Sequence, residues 1–494
     1  MRKPVVFVTL FLTLNLPIIA QFSVKYQPDR QPTTNLQYFT PTGENLFVGD
    51  CIPFAHNGMY YLYWLIDQGH HSALNGLGGH QWVLSTTKDL RTWTHYPVVL
   101  GIDEDWEKSI CTGSVVYRQN KFHAFYATRR LQDGKTIEQL SYAISDDGIH
   151  FKKQKPNPFF TALPAYSPRN FRDPKAIINP SGGITLLIAS NEVKAPIQAE
   201  NGCLVQLTSS DMKSWQIGSP ILTGQFAVPE CPDYFKWNQW YYLVYGQDGD
   251  TYYLKSKSPL GPWESPRYQS LKEEMVNVAK TAEFAGNRRI AAAWIPSRRD
   301  NKDNGGEIFG GSAVFREVIQ EEDGTLSTQF PAEMIPPTSQ PITVSVVLDK
   351  LSTQQKGNAI KIQAINGLGA AHFQDVPVNS RITLLIEPSD KNEEYGLFLR
   401  SDQQGQQGYK LRISANERTV GLGNTRIEAV EGLDKLMTLD IVMRDDIIDV
   451  CINGKRCLVN RMAEQKGTFL WLYAKQGSVA FKSVTIAPIR QTTR

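Results

Sequence analysis

The sequence predicts an all-β chain: a five-bladed β-propeller over residues 21–335 followed by a β-sandwich over residues 336–494. Three observations lead there. A short apolar and aromatic strand, entered through a Gly or Asn turn, recurs five times. A polar turn ending in an aromatic residue falls between the copies, and the texture of the chain changes after about residue 335.

The five strands are Gly58 to Trp64, Asn120 to Tyr126, Gly182 to Ile188, Asn238 to Val244 and Asn287 to Trp294. Their anchors at Tyr61, Phe122, Ile184, Tyr241 and Ile290 are 61, 62, 57 and 49 residues apart. That period suits four-stranded blades, each burying its faces against its neighbours. The intervening turn reads Ser85 to Trp93, then Ser145 to Phe151, then Ser209 to Trp215, and more loosely Pro262-Trp263. Hairpins at regular spacing with few helical stretches mark an all-β chain.

Pro336 to Pro341 has the composition of a linker. Strand-like runs follow at Ile342 to Leu348, Ile382 to Ile386, Leu436 to Val442 and Val479 to Ile486, separated by polar turns as in a sandwich.

The composition, 41% hydrophobic and 20% charged with a net charge of +3, is that of an ordinary two-domain chain and gives no footprint for nucleic acid. Residues 1–20 have the form of a cleavable export signal: a basic Met1-Arg2-Lys3, an apolar run from Val5 to Ile19 and a cleavage point at Ala20-Gln21. Asn15 and Pro17 interrupt that run, and no later run reaches the ~20 residues of a membrane span. The expected location is therefore exported, periplasmic or extracellular. Six cysteines are too few for a disulfide scaffold. Cys451 and Cys457 are locally pairable because they flank the Asn453-Gly454 turn.

Asp50, Asp173 and Glu230 each lie eleven residues upstream of a repeat anchor; the second and fifth copies carry Cys111 and Ala279 there. On innermost strands these positions would face one funnel. Crowded carboxylates in a poorly solvated cleft repel one another, which makes an acid beside a base. Glycoside hydrolysis uses that division between an attacking carboxylate and a protonated carboxyl at the leaving oxygen. The charge argument does not rank nucleophile against stabiliser.

At these residues the chain resembles glycoside hydrolase family 32, the invertase, levanase and inulinase family. Arg172-Asp173-Pro174 resembles its Arg-Asp-Pro motif and Glu230-Cys231 its Glu-Cys motif. Gly79 to Ser85, with Asp89-Leu90 and Trp93, is similar to its first-blade hairpin, and Cys111 to Ser114 to its Phe-Ser-Gly-Ser stretch. Gly310 to Glu317 and Met443 to Val450 resemble its closing propeller strand and a strand of its C-terminal sandwich. The resemblance implies Asp50 as nucleophile, Glu230 as acid and base, and Asp173 as transition-state stabiliser. It implies sugar contacts from Arg172, Trp82, His80, Cys111 and Thr112, no cofactor or metal, and an oligo- or polysaccharide substrate with a β-fructofuranoside bond cleaved with retention.

The first motif departs from the family. Its Trp-Met-Asn-Asp-Pro-Asn-Gly stands here as Phe47-Val48-Gly49-Asp50-Cys51-Ile52-Pro53, so the Asp is kept and the preceding Asn is not. An inverting family 43-type arabinofuranosidase or xylosidase and a non-catalytic sugar-binding propeller are the competing readings. His70, His71 and His80 form a local cluster. Trp64, Trp106 and Trp294 are further aromatic candidates, and the segment 300–311 is a candidate overhang.

Overall fold

A computed structural model of the chain describes residues 26–28, 33–349, 352–389 and 392–490. The export signal expected over residues 1–20 lies outside the described residues.

The first half is a five-bladed propeller. Blade I is Leu46–His56, Met59–Gln68, Gln81–Thr87 and Thr92–Leu100; blade II is Ser109–Arg118, Lys121–Gln132, Lys135–Ser145 and Lys152–Lys153. Blade III runs from Tyr166–Ile178 through Ile184–Glu192 and Gly202–Ser209 to Gln216–Ile217. Blade IV is Glu230–Trp237, Trp240–Gln247 and Asp250–Ser256, and blade V runs from Asn277–Phe284 to Leu326–Gln329. All five anchors read from the sequence fall on second strands. Closure is local: Val48 of blade I pairs with Gly311 of blade V, and at Ala313 of the same closing strand the Tyr38 N–H donates to Ala313 O and the Ala313 N–H donates to Phe39 O.

The repeated polar turn has one chemical cause. Thr87, Ser145 and Ser209 accept the backbone N–H of Leu90, Gly148 and Met212 at 2.9, 3.0 and 2.8 Å. Asp89, Asp147 and Asp211 each cap two further N–H groups through Oδ1. These local side-chain acceptors set a turn that competes with strand continuation.

The second half is a sandwich organised by Phe469–Pro488, which pairs with Glu394–Ser401 through its first part, Ser380–Pro388 through its second and Ala359–Phe373 through both. The proline-rich segment before it does not hang free. Ser339 and Ile342 donate to Pro488 and Ile486, so the segment lies along that last strand. All six cysteines are buried free thiols, with Cys451 and Cys457 directly opposite one another across a three-residue turn. Met275, Val276 and Val314 of the propeller pack with Val442, Ile447 and Val459 of the sandwich. Buried Arg316 spans the seam, with Nη2 2.8 Å from Glu273 and Nη1 2.8 Å from Asp449.

Candidate active site

The innermost strand of every blade carries the same irregularity. Two residues oppose one on the neighbouring strand: 49–50 in blade I, 111–112 in blade II, 173–174 in blade III, 231–232 in blade IV and 278–279 in blade V. A β-bulge re-aims side chains, and five of them around one axis build the rim of a pocket. In blades III to V its first residue, Asp173, Cys231 or Val278, takes a left-handed φ of 57°, 48° or 46°. Such backbone is costly for residues with a Cβ and is held by its surroundings.

Asp50, Asp173 and Glu230 share this pocket, a cavity of about 580 Å³. Their register is not identical, although their sequence offset is. Asp50 is the second bulge residue, Asp173 the first, and Glu230 the residue before the bulge. The three therefore step in depth around the axis rather than forming a level ring.

Their contacts differ accordingly. Trp294 donates its indole N–H to Asp50 Oδ1 at 3.1 Å. The Cys231 N–H donates to Asp173 Oδ2 at 3.0 Å, while its sulfur lies 3.6 Å from Asp50 Oδ2 and 3.7 Å from Asp173 Oδ2. Arg172 reaches Glu230 Oε1 at 2.5 Å, Glu138 Oε2 at 3.2 Å and Asp173 Oδ2 at 3.5 Å. Glu230 is the accessible member, with 38% of its side chain exposed.

Burial and the Asp173 and Glu230 charges push the Asp50 carboxyl up to about 7, against the pull of the Lys280 ammonium. Burial also raises Asp173 and Glu230 above the ordinary carboxylate range, although Arg172 opposes both. All three carboxyls are thus raised, Asp50 to near neutrality, so uptake of a proton by the group is favoured. A protonated carboxyl beside ionised ones makes an acid and a base in one pocket.

Comparison with known proteins decides the family. Residues 51–320 match the family model described as glycosyl hydrolases family 32 N-terminal domain. The chain belongs to glycoside hydrolase family 32. The match begins one residue after Asp50, where the first motif departs from the family pattern. The chain is 23% identical to a levanbiose-producing levanase of Bacillus subtilis over 88% of this chain and 87% of that protein. Its fold matches exo-inulinase from Aspergillus awamori (TM-score 0.67, 16% identity, covering 94% of this chain and 99% of that one). It also matches fructan 1-exohydrolase IIa from Cichorium intybus (TM-score 0.64, 15% identity, 94% and 98%). As a family 32 member the chain is a glycosidase.

In this family 32 hydrolase the expected sugar contacts separate into two groups. Arg172, His80 and Cys111 line the pocket. Trp82 and Thr112 do not: both are fully buried, and the Trp82 indole N–H is donated to Cys111 O at 2.8 Å. Trp82 packs between blades I and II against Tyr63 and Tyr126. A blade is covered on both faces, so strand alternation does not separate wall from core. Trp64 is likewise core, and Trp106 turns its N–H to Glu104. Trp294 is the tryptophan at the pocket.

Residues 307–309 of the candidate overhang line the cavity. The Phe309 ring packs on Trp294 and His80, with centroids 4.9 and 5.0 Å apart. A Cβ at Gly49 would meet that ring at 3.1 Å. The missing side chain at 49 and the aromatic at 309 are thus one packing solution, invisible to a motif comparison because 260 residues separate them.

Ligand atoms of Asp67, His71 and His80 lie within 4.8 Å of one another, a spacing that suits a cation. The Arg129 guanidinium, however, sits 2.8 Å from His71 Nε2, and Asp67 Oδ1 already takes the His71 N–H and faces His80 Nε2 at 3.0 Å. A guanidinium at the His71 ring nitrogen repels a metal ion. Burial lowers the His71 imidazole to about 4, which fits a neutral ring accepting from Arg129. The sequence reading missed Glu138 and Lys280. Neither lies in a recognisable motif, and only the blade geometry brings them to the acids.

Proposed function

We propose that this glycosidase hydrolyses β-fructofuranoside bonds of oligo- or polysaccharides with retention, through a glycosyl-enzyme intermediate, and that it acts after export. The convergence of Asp50, Asp173 and Glu230 in one pocket carries the reading.

In the first step an Asp50 carboxylate oxygen bonds to the anomeric carbon while the bond to the leaving oxygen breaks, and Glu230 gives that oxygen its proton. In the second step Glu230, now a carboxylate, takes a proton from water. The water oxygen bonds to the anomeric carbon and Asp50 is released. Asp173, fixed by the Cys231 N–H and Arg172, presents a carboxylate to sugar hydroxyls and to the positive charge of the transition state. Trp294 and Phe309 offer an apolar wall to the ring. The basic N-terminus and the apolar run from Val5 to Ile19 support export.

The test is incubation with sucrose, inulin, levan and an arabinan, with proton NMR of the first-formed sugar. Release of fructose in its β anomeric form is expected. Release of arabinose, or an inverted first product, would overturn the reading.

A further inference from the structure

Glu138 stands on the third strand of blade II, directly opposite Arg129, with only 4% of its surface exposed. Its Oε1 accepts from Arg129 Nε at 3.2 Å and Nη2 at 2.8 Å. Its Oε2 accepts from Arg172 Nη1 at 3.2 Å, the same guanidinium whose Nη2 holds Glu230. Arg129 turns its remaining nitrogen to His71 Nε2 and Leu77 O. The carboxylate therefore bridges two buried arginines and lies one guanidinium away from Glu230.

The sharing of cations shows why that matters. Three carboxyl groups, Glu138, Asp173 and Glu230, share the Arg172 guanidinium, and Asp50 lies beside Asp173 across the Cys231 sulfur; Arg129 holds the other oxygen of Glu138, and Lys280, whose ammonium donates to Gly113 O at 2.9 Å, adds its charge. Of the other titratable groups facing this network, burial holds Cys111 and Cys231 as thiols and His71 as a neutral ring, Asp67 faces His71 and His80, and Glu307 lines the same pocket. Carboxylates that share one cation in a poorly solvated site favour uptake of a proton. With Glu138 neutral, Arg172 would serve two carboxyls instead of three, and Glu230 would lose part of the repulsion that favours its protonated form.

We infer that Glu138 is a positioning residue for the acid proton: it draws part of Arg172 away from Glu230 and adds negative charge that favours the protonated form of Glu230. The inference rests on the assignment of Glu230 as acid and base. Glu138 is among the groups that raise Glu230 and Asp173, whereas Arg172 lowers both. Without Glu138, Arg172 pairs more fully with Glu230, and the Glu230 carboxyl titrates at lower pH.

The experiment compares wild type, Glu138→Gln, Glu138→Asp and Glu230→Ala on sucrose and on β-fructosyl fluoride, whose leaving fluoride needs no proton. In Glu138→Gln the centre of the pH profile of kcat/KM on sucrose moves to lower pH by about one unit, and activity at neutral pH falls roughly tenfold. The loss on the fluoride is much smaller, and Glu138→Asp restores the profile in part. The ratio of the two substrates is independent of the folded fraction, so a poorly folding variant still answers. An unmoved profile with equal loss on both substrates would overturn the role of Glu138. Glu230→Ala isolates the underlying assignment: it should lose sucrose cleavage selectively, and equal loss on both substrates there would reject Glu230 as the acid.

Discussion

Arg172 and Glu230 meet at 2.5 Å, guanidinium Nη2 to carboxylate Oε1, across the boundary between blades III and IV. The contact fixes the rotamer of the acid and at the same time favours its ionised form. Burial and the neighbouring carboxylates push the other way, and Glu230 ends above the usual carboxylate range. A leaving oxygen requires a fixed acid, and the burial that raises Glu230 favours its protonated form.

Asp50→Asn removes the nucleophile while keeping its shape. We expect kcat to fall by about four orders of magnitude with the fold unchanged, checked by initial rates and circular dichroism. Azide is expected to speed Glu230→Ala on the fluoride substrate, because it attacks the intermediate without needing a base.

The pH profile of kcat/KM is expected to be a bell, because the proposed reacting state needs Asp50 ionised and Glu230 protonated. Asp50 is raised to about 7, so its ionised fraction grows as pH rises through neutrality, while the Glu230 proton is lost in the same direction. Lys280 lowers Asp50 by its charge. Lys280→Met raises the Asp50 carboxyl, and the centre of the bell moves to higher pH by about one unit, opposite in sign to Glu138→Gln. Rates over a pH series check it.

Trp294→Phe keeps the ring and deletes the donor at 3.1 Å from Asp50. A hydrogen bond to a charged group contributes about 1.5–3 kcal/mol, so kcat/KM is expected to fall by roughly tenfold or more, read from steady-state kinetics.

The seam between propeller and sandwich has its own test. Arg316 lies between Glu273 and Asp449, and Tyr38 donates to Asp449 at 2.9 Å. Arg316→Met leaves two buried carboxylates without their cation, and a loss of about 3–5 kcal/mol is expected in denaturant titration. The pH profile of kcat/KM should not move, since the seam is separate from the pocket.

The fold was legible because its signals are local. The strand after each Gly or Asn turn and the Ser/Thr-x-Asp turn are set by residues close in sequence, and both recur with the blade. The three acids were legible because each sits at or beside the bulge of its blade's innermost strand, although counting residues did not reveal that they occupy three successive positions relative to it. Trp82 was misread because a tryptophan in a motif looks the same whether it faces the axis or the next blade. Glu138, Lys280 and Phe309 stayed hidden for the opposite reason. Their roles depend on partners in other blades, which no local pattern encodes.

Mass spectrometry of the enzyme denatured during turnover of β-fructosyl fluoride tests the central assignment most directly, with Glu230→Gln used to slow release of the intermediate. The mechanism predicts one added fructosyl unit on the peptide that contains Asp50. A label on the peptide that contains Asp173, or none while hydrolysis proceeds with inversion, would contradict it.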